Sequence, residues 1–124
     1  MDTFSNSNKL SKLIDIGLAL SKEKNINILL EKILNEARVI SNSDGGTVYL
    51  ITDDNKKLNF EIMQTESLEI KFGGSSEPVP DYIYPVKLYN DNGSKNINNA
   101  SSVCALEGKT INIKNAYKNE DYDF

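Results

Sequence analysis

Few groups in this sequence could do covalent or acid–base chemistry. Its 124 residues include one cysteine, Cys104, and no histidine. A single thiol cannot close an intramolecular disulfide, and without imidazole the chain lacks the usual proton shuttle, the commonest metal ligand and the usual axial ligand of haem. Carboxylates gather at Asp53-Asp54 and at Glu120, Asp121 and Asp123, the second group interleaved with Tyr117 and Tyr122. Such groups can hold a cation or move a proton, but in loops of this composition they read as solvated charge. No Gly-rich loop of P-loop spacing accompanies them, and no nucleophile–base pair can be assembled. The expectation is a chain with no catalytic residue, no metal site and no cofactor.

The bulk composition narrows the partners. A hydrophobic share of 39% and a charged share of 26% suit one globular domain. A chain of this length buries about two thirds of the surface its unfolded form exposes. The net charge of −4 repels a nucleic-acid backbone on average, and no Lys/Arg cluster makes a local exception. The N-terminal run MDTFSNSNKLSKLIDIGLAL lacks a basic segment followed by a clean apolar one. Nowhere does the chain approach the roughly 20 apolar residues of a membrane helix. These features predict a cytoplasmic protein without nucleic-acid or membrane partners.

The elements that would position any site follow from periodicity. Residues 1–8 are polar and patternless and predict a disordered leader, leaving 9–124 as the domain. Leu10, Leu13, Ile14, Gly17, Leu18 and Leu20 recur at helical spacing over Lys9 to Lys22, with Asn8 as N-cap. Ile26, Leu29, Leu30, Ile33, Leu34, Ala37 and Ile40 write a second helix, capped by Asn25 or Asn27. Gly46 to Thr52 alternates as a half-buried strand, and Leu58 to Thr65 returns antiparallel to it across Asp53-Asp54-Asn55-Lys56, with Leu68 to Phe72 able to extend the ribbon. After a loop from Gly73 to Pro80 comes a strand over Ile83 to Tyr89, which Pro85 confines to an edge or delays. Asn98-Asn99 opens a short helix over Ala100 to Glu107 that Gly108 stops, and Thr110 to Ile113 predicts one more strand. This order lacks the βαβ rhythm of a Rossmann fold and predicts an α+β protein.

The segment Val103-Cys-Ala-Leu-Glu-Gly-Lys-Thr-Ile-Asn-Ile-Lys-Asn-Ala-Tyr117 resembles the GAF family, whose members often carry a helix, then Thr-Gly-Lys, a strand reading Asn-Ile, and Asp-Ala-Tyr. The helix Leu29 to Ile40, the strand Gly45-Gly-Thr-Val-Tyr-Leu-Ile51, the hairpin return and Val86 to Gly93 agree in order. The variant is most similar to bacterial GAF domains that precede HD-GYP phosphohydrolases or other signalling outputs. The resemblance implies a GAF-like, PAS-related antiparallel sheet covered by helices. It covers about Leu10 to Phe124 and only the earlier part of a typical GAF domain, so the last two strands and the closing helix are expected to be missing. Those strands sit in mid-sheet, and their absence predicts unpaired edges and exposed apolar surface, to be met by further sequence or by another chain.

The resemblance also implies residues. In cyclic-nucleotide-binding relatives the start of the short helix lines a pocket, and the Gly108 anchor maps it to Asn99, Ala100, Ser101 and Ser102. Free N–H groups and small polar side chains at a helix N-terminus suit a phosphate or a carbonyl; the alternative is a capped helix with nothing bound. Gln64 and Thr65 correspond loosely to hairpin positions that contact a purine. Cys104 answers neither to the bilin attachment of photoreceptor GAF domains, which have a nearby His, nor to the several cysteines of GAF-fold methionine sulfoxide reductases, and reads as a small buried apolar residue. The first helix of GAF proteins often joins a dimer bundle, which would put Leu10, Leu13, Ile14, Gly17 and Leu20 at a homodimer interface; otherwise they pack on their own domain. The implied function is a non-catalytic sensory module that binds a small molecule, a cyclic nucleotide among the possibilities, and dimerises to control an output domain. A ligand-free dimerisation domain and a sulfoxide reductase are the other readings.

Overall fold

The computed structural model describes the backbone of residues 3–20, 22 and 24–124, and the side chains of residues 9–18, 22 and 24–124. Among the described residues three helices, α1 (Thr3–Leu20), α2 (Ile26–Ser41) and α3 (Ala100–Glu107), accompany four strands, β1 (Gly45–Ile51), β2 (Lys57–Thr65), β3 (Ile70–Phe72) and β4 (Val86–Lys87). A 3₁₀ turn spans Ala116–Lys118. The strands form a small open antiparallel sheet in which β2 pairs with β1, β3 and β4, so the fold class is α+β. The chain divides into two compact units, Met1–Val48 with Glu61–Asp81, and Tyr49–Phe60 with Tyr82–Phe124.

In the first unit α2 is the best-defined helix. Asn25, in extended backbone, accepts hydrogen bonds on its Oδ1 from the N–H groups of Asn27 (3.0 Å) and Ile28 (3.4 Å), and so is the N-cap. Asn42 ends the helix in the left-handed region at φ 54°, its N–H directed to the carbonyls of Arg38 and Val39. The buried face of α2 is not centred on the apolar stripe. Glu31 and Leu34 are buried and Arg38 is partly so, whereas Ile26, Ile33 and Val39 are exposed. Leu34 lies so close over β1 that a Cβ on Gly46 would stand 2.6 Å from its Cδ1. Ile62 of β2 is fully buried, and β3 pairs with β2 in the register Met63 with Phe72 and Thr65 with Ile70.

Helix α1 adjoins α2. It begins at Thr3, ahead of the expected Lys9, because the stretch from Thr3 to Asn8 contains no Pro or Gly to stop it. Leu10, Leu13, Ile14 and Leu18 are each more than half exposed, and a Cβ on Gly17 would meet nothing within 4 Å. The side chain of Leu20 lies outside the described residues.

The second unit centres on Leu58, Leu88 and Val103, all buried. β4 pairs with the start of β2, Lys57 with Lys87 and Leu58 with Val86, and adjoins α3. The strand expected over Ile83 to Tyr89 contracts to Val86–Lys87, since Pro85 has no N–H to enter a ladder. Gly108 closes α3 at φ 62°, its N–H bonding the carbonyl of Cys104. Thr110 to Ile113, expected as a strand, belongs to none: apolar alternation makes a strand only where a neighbour takes up its backbone groups, and no described strand does so.

At the end of β3, Gly73 has φ +86°, and a Cβ there would collide with the carbonyl oxygen of Glu61 on β2. Gly73→Ala therefore combines an unfavourable dihedral with a backbone clash, and is expected to destabilise the chain by about 1–3 kcal/mol. Urea unfolding followed by circular dichroism checks this; an unchanged midpoint would show that the loop after β3 is not held in this conformation.

Candidate functional site

Two polar clusters occupy the regions where site residues were expected, one in each unit. In the first unit, Gln64 near the end of β2 is 3% exposed. Its Oε1 accepts from Nη1 of Arg38 at 2.7 Å. The Nη2 of Arg38 donates to the carbonyl oxygen of Asp44 (3.1 Å) and faces Oε2 of Glu66 (3.3 Å). Turning the Gln64 amide over would set its NH2 against the guanidinium, donor to donor, so the orientation is determined by the pair. Two donors in this cluster, Arg38 Nε and Gln64 Nε2, are buried without a hydrogen-bond partner among the described residues. Arg38, Gln64, Thr65, Glu66, Glu69 and Lys71 are among the residues lining an open hollow of about 410 Å³ beside them.

The backbone beneath this hollow is held by Asp44. Its carboxylate accepts from the N–H of Ser67 (3.0 Å) and from the Ser67 hydroxyl (2.5 Å), and its carbonyl accepts from the N–H of Glu66 (2.9 Å). The Ser67 hydroxyl, then the Ser67 N–H, lower the Asp44 carboxyl below the ordinary 3.8, with Arg38 adding to the effect. Glu69, at φ 54°, completes the turn into β3.

In the second unit, the start of α3 is tied to the residues before it. Asn99 occupies the N-cap position but makes no side-chain capping bond; its Oδ1 accepts from Nδ2 of Asn96 at 2.9 Å. The Ser102 hydroxyl, fully buried, reaches the carbonyls of Asn96 (2.6 Å) and Asn99 (2.8 Å). Asn96 also donates to the carbonyl of Lys87 (2.7 Å) and accepts from the N–H of Asn98 (3.0 Å). Ser101 meets the phenol of Tyr49, whose ring lies 4.7 Å from that of Phe60. Ala100 brings only its backbone N–H to this end of the helix.

Of the residues expected to contact a ligand, Gln64 and Thr65 thus share the hollow of the first unit. Asn99, Ala100, Ser101 and Ser102 open α3 in the second, where Asn99 and Ser102 serve the local turn. Sequence reasoning passed over Arg38 and Glu31. Their signal was present, because Glu31, Leu34 and Arg38 follow one another at spacings of three and four and so share a helix face with a leucine. Cys104 is half-buried on α3 and free. No group of His, Cys, Asp or Glu that could hold a metal ion occurs among the described residues, and no helix among them is long and apolar enough to cross a membrane. No known protein family, curated protein or solved structure matches the chain.

Two titrations test this geometry. A carboxyl held low adds stability that is present above its ordinary pKa and disappears as the pH falls through the lowered value. The stability difference between the wild type and Ser67→Ala should therefore be full near neutrality and shrink towards zero below the ordinary aspartate range; a difference independent of pH would show that Asp44 does not carry it. Tyr49 behaves in the opposite sense. Burial raises its phenol above 10.0, against a smaller lowering by Ser101, so its contribution holds below the ordinary value and is lost as the pH climbs through the raised one. In an alkaline absorbance titration Tyr49→Phe should remove a late-ionising phenol.

Proposed function

We propose that this chain is a non-catalytic regulatory module of the GAF type, which pairs with a second copy of itself through α1 and takes up a small molecule whose occupancy is passed to an output domain. The finer fold belongs to the same proposal: a GAF-like, PAS-related sheet covered by helices. Its support is the order of two helices, a hairpin and short strands, followed by an eight-residue helix closed by left-handed Gly108.

The observation that carries the reading is the uncovered stripe of α1. Leu10, Leu13, Ile14 and Leu18 are more than half exposed, and Ile26 and Ile33 of the adjoining α2 are exposed as well. Apolar residues clustered at helical spacing on adjoining helices mark an interaction surface, because their burial is the main driving force of association. Gly17, with open space about its Cα, suits close approach of a second helix. A parallel pairing of such helices can transmit a ligand-dependent shift in packing. A cyclic nucleotide is among the ligands that the family resemblance suggests.

A second reading has its own support. The polar groups of Asn96, Asn99 and Ser102 are taken up by one another and by backbone, which favours a module that dimerises without a ligand at α3.

Light scattering coupled to size-exclusion chromatography decides the pairing. The wild-type chain should run as a dimer, and Ile14→Glu, which places a charge on the stripe, should run as a monomer that keeps its α+β circular dichroism. A wild-type chain that stays monomeric at the concentrations where it folds would sink the proposal.

A further inference from the structure

The cluster around Arg38 contains an unmet demand for hydrogen-bond acceptors. The guanidinium has five N–H groups and no acceptor of its own, and the Gln64 amide brings two more. Gln64 Oε1 and the Asp44 carbonyl take up part of this supply, while Arg38 Nε and Gln64 Nε2 are buried and unmatched. A buried donor without an acceptor is costly, and more so when it belongs to a cation. Among the described residues the carboxylate in an ion pair with Arg38 is that of Glu66, while the Asp44 carboxylate acts on it from further off. The Glu66 carboxylate touches Nη2 alone, at 3.3 Å, from a side chain that is 83% exposed. Such a pair is weak and readily exchanged. The rim also bears Lys71, which forms no ion pair among the described residues.

We propose that the hollow between α2 and the β2–β3 turn is a site for a small anion, a carboxylate or a phosphate, whose oxygens are received by Arg38 and Gln64 and for which Glu66 is the resident stand-in. The anion displaces the Glu66 carboxylate from Nη2, and with that contact gone the mouth opens to the Nε–H of Arg38 and the amide N–H of Gln64. An oxyanion suits both, since guanidinium and carboxylate or phosphate match in geometry. Lys71 brings a second positive charge to the rim, set against the carboxylate of Glu69. The inference rests on the reading of the chain as a ligand-binding module and narrows it to an anionic ligand. It also assigns Glu66 as a built-in competitor, so the site exchanges its own carboxylate for that of the ligand.

The test is a titration of the ¹⁵N-labelled chain at constant ionic strength, with inorganic phosphate in one arm and succinate in the other. It follows the Arg38 Nε–H and the Gln64 side-chain amide together with the backbone. Saturable shifts of both side-chain groups are expected in at least one arm, and the arm that saturates at lower concentration identifies the oxyanion. Glu66→Gln, an exposed substitution that removes the competitor, should tighten binding by about threefold, and Lys71→Ala should weaken it by a similar factor. No saturable shift at Arg38 or Gln64 up to tens of millimolar, in either the wild type or Glu66→Gln, overturns the proposal. So does a long-lived water contact at both donors that neither anion disturbs. Shifts confined to Ala100–Ser102 would overturn this site while leaving the module reading intact, whereas anion binding at Arg38 in a strictly monomeric chain would leave the site and remove the module's dimer.

Discussion

One arginine organises the first unit. Arg38 projects from α2 and binds two places in the strand segment at once, the carbonyl of Asp44 ahead of β1 and the side chain of Gln64 near the end of β2. Hydrogen bonds from a charged donor contribute about 1.5–3 kcal/mol each; the one to Asp44 closes the turn out of α2, and the one to Gln64 reaches across a sequence separation that no local propensity could bridge. The Asp44 carboxylate holds Ser67, and its carbonyl also receives the Glu66 N–H, so the start of β1, the end of β2 and the turn into β3 are tied to the helix through one residue and its neighbours.

A buried carboxylate on the same face, Glu31, does the equivalent work about two turns away. Glu31 accepts from the hydroxyl (2.8 Å) and N–H (3.2 Å) of Ser75, and its carboxylate stands where a Cβ on Gly74 would be. Only a glycine at φ +59° lets the loop come that close. Between the two charges Leu34 packs over Gly46. The buried positions of α2 thus read charge and leucine, with Arg38 half-buried one turn on, while Ile26, Ile33 and Val39 lie on exposed positions of the helix. Ile26 and Ile33 remain exposed beside an α1 whose own stripe is uncovered.

In the second unit the polar residues are internally satisfied. Asn96 is the hub: it is 7% exposed, and each of its side-chain atoms is in use. The asparagines that look like a loose lead-in to α3 therefore build a closed turn, and Ser102 locks it from inside the helix. The contrast with the first unit is chemical. There two buried donors, Arg38 Nε and Gln64 Nε2, are left without a partner among the described residues.

The sequence by itself determined the elements with strong local signals. The 3.6-residue period and Asn25 cap define α2, apolar alternation around Asp53–Lys56 defines the hairpin, and Asn99 with Gly108 brackets α3, because caps, turns and periodicity act over a few neighbouring residues. Tertiary structure decided what pairing and packing control. Thr110 to Ile113 has strand composition yet finds no ladder, β4 is cut to two residues at Pro85, and α2 buries Glu31, Leu34 and Arg38 in preference to its more apolar side. A helix shows the same composition whichever way it is rotated. Which face it buries depends on acceptors and carbonyls far along the chain, here those of Asp44, Gln64 and Ser75, and that choice is made only when they come together.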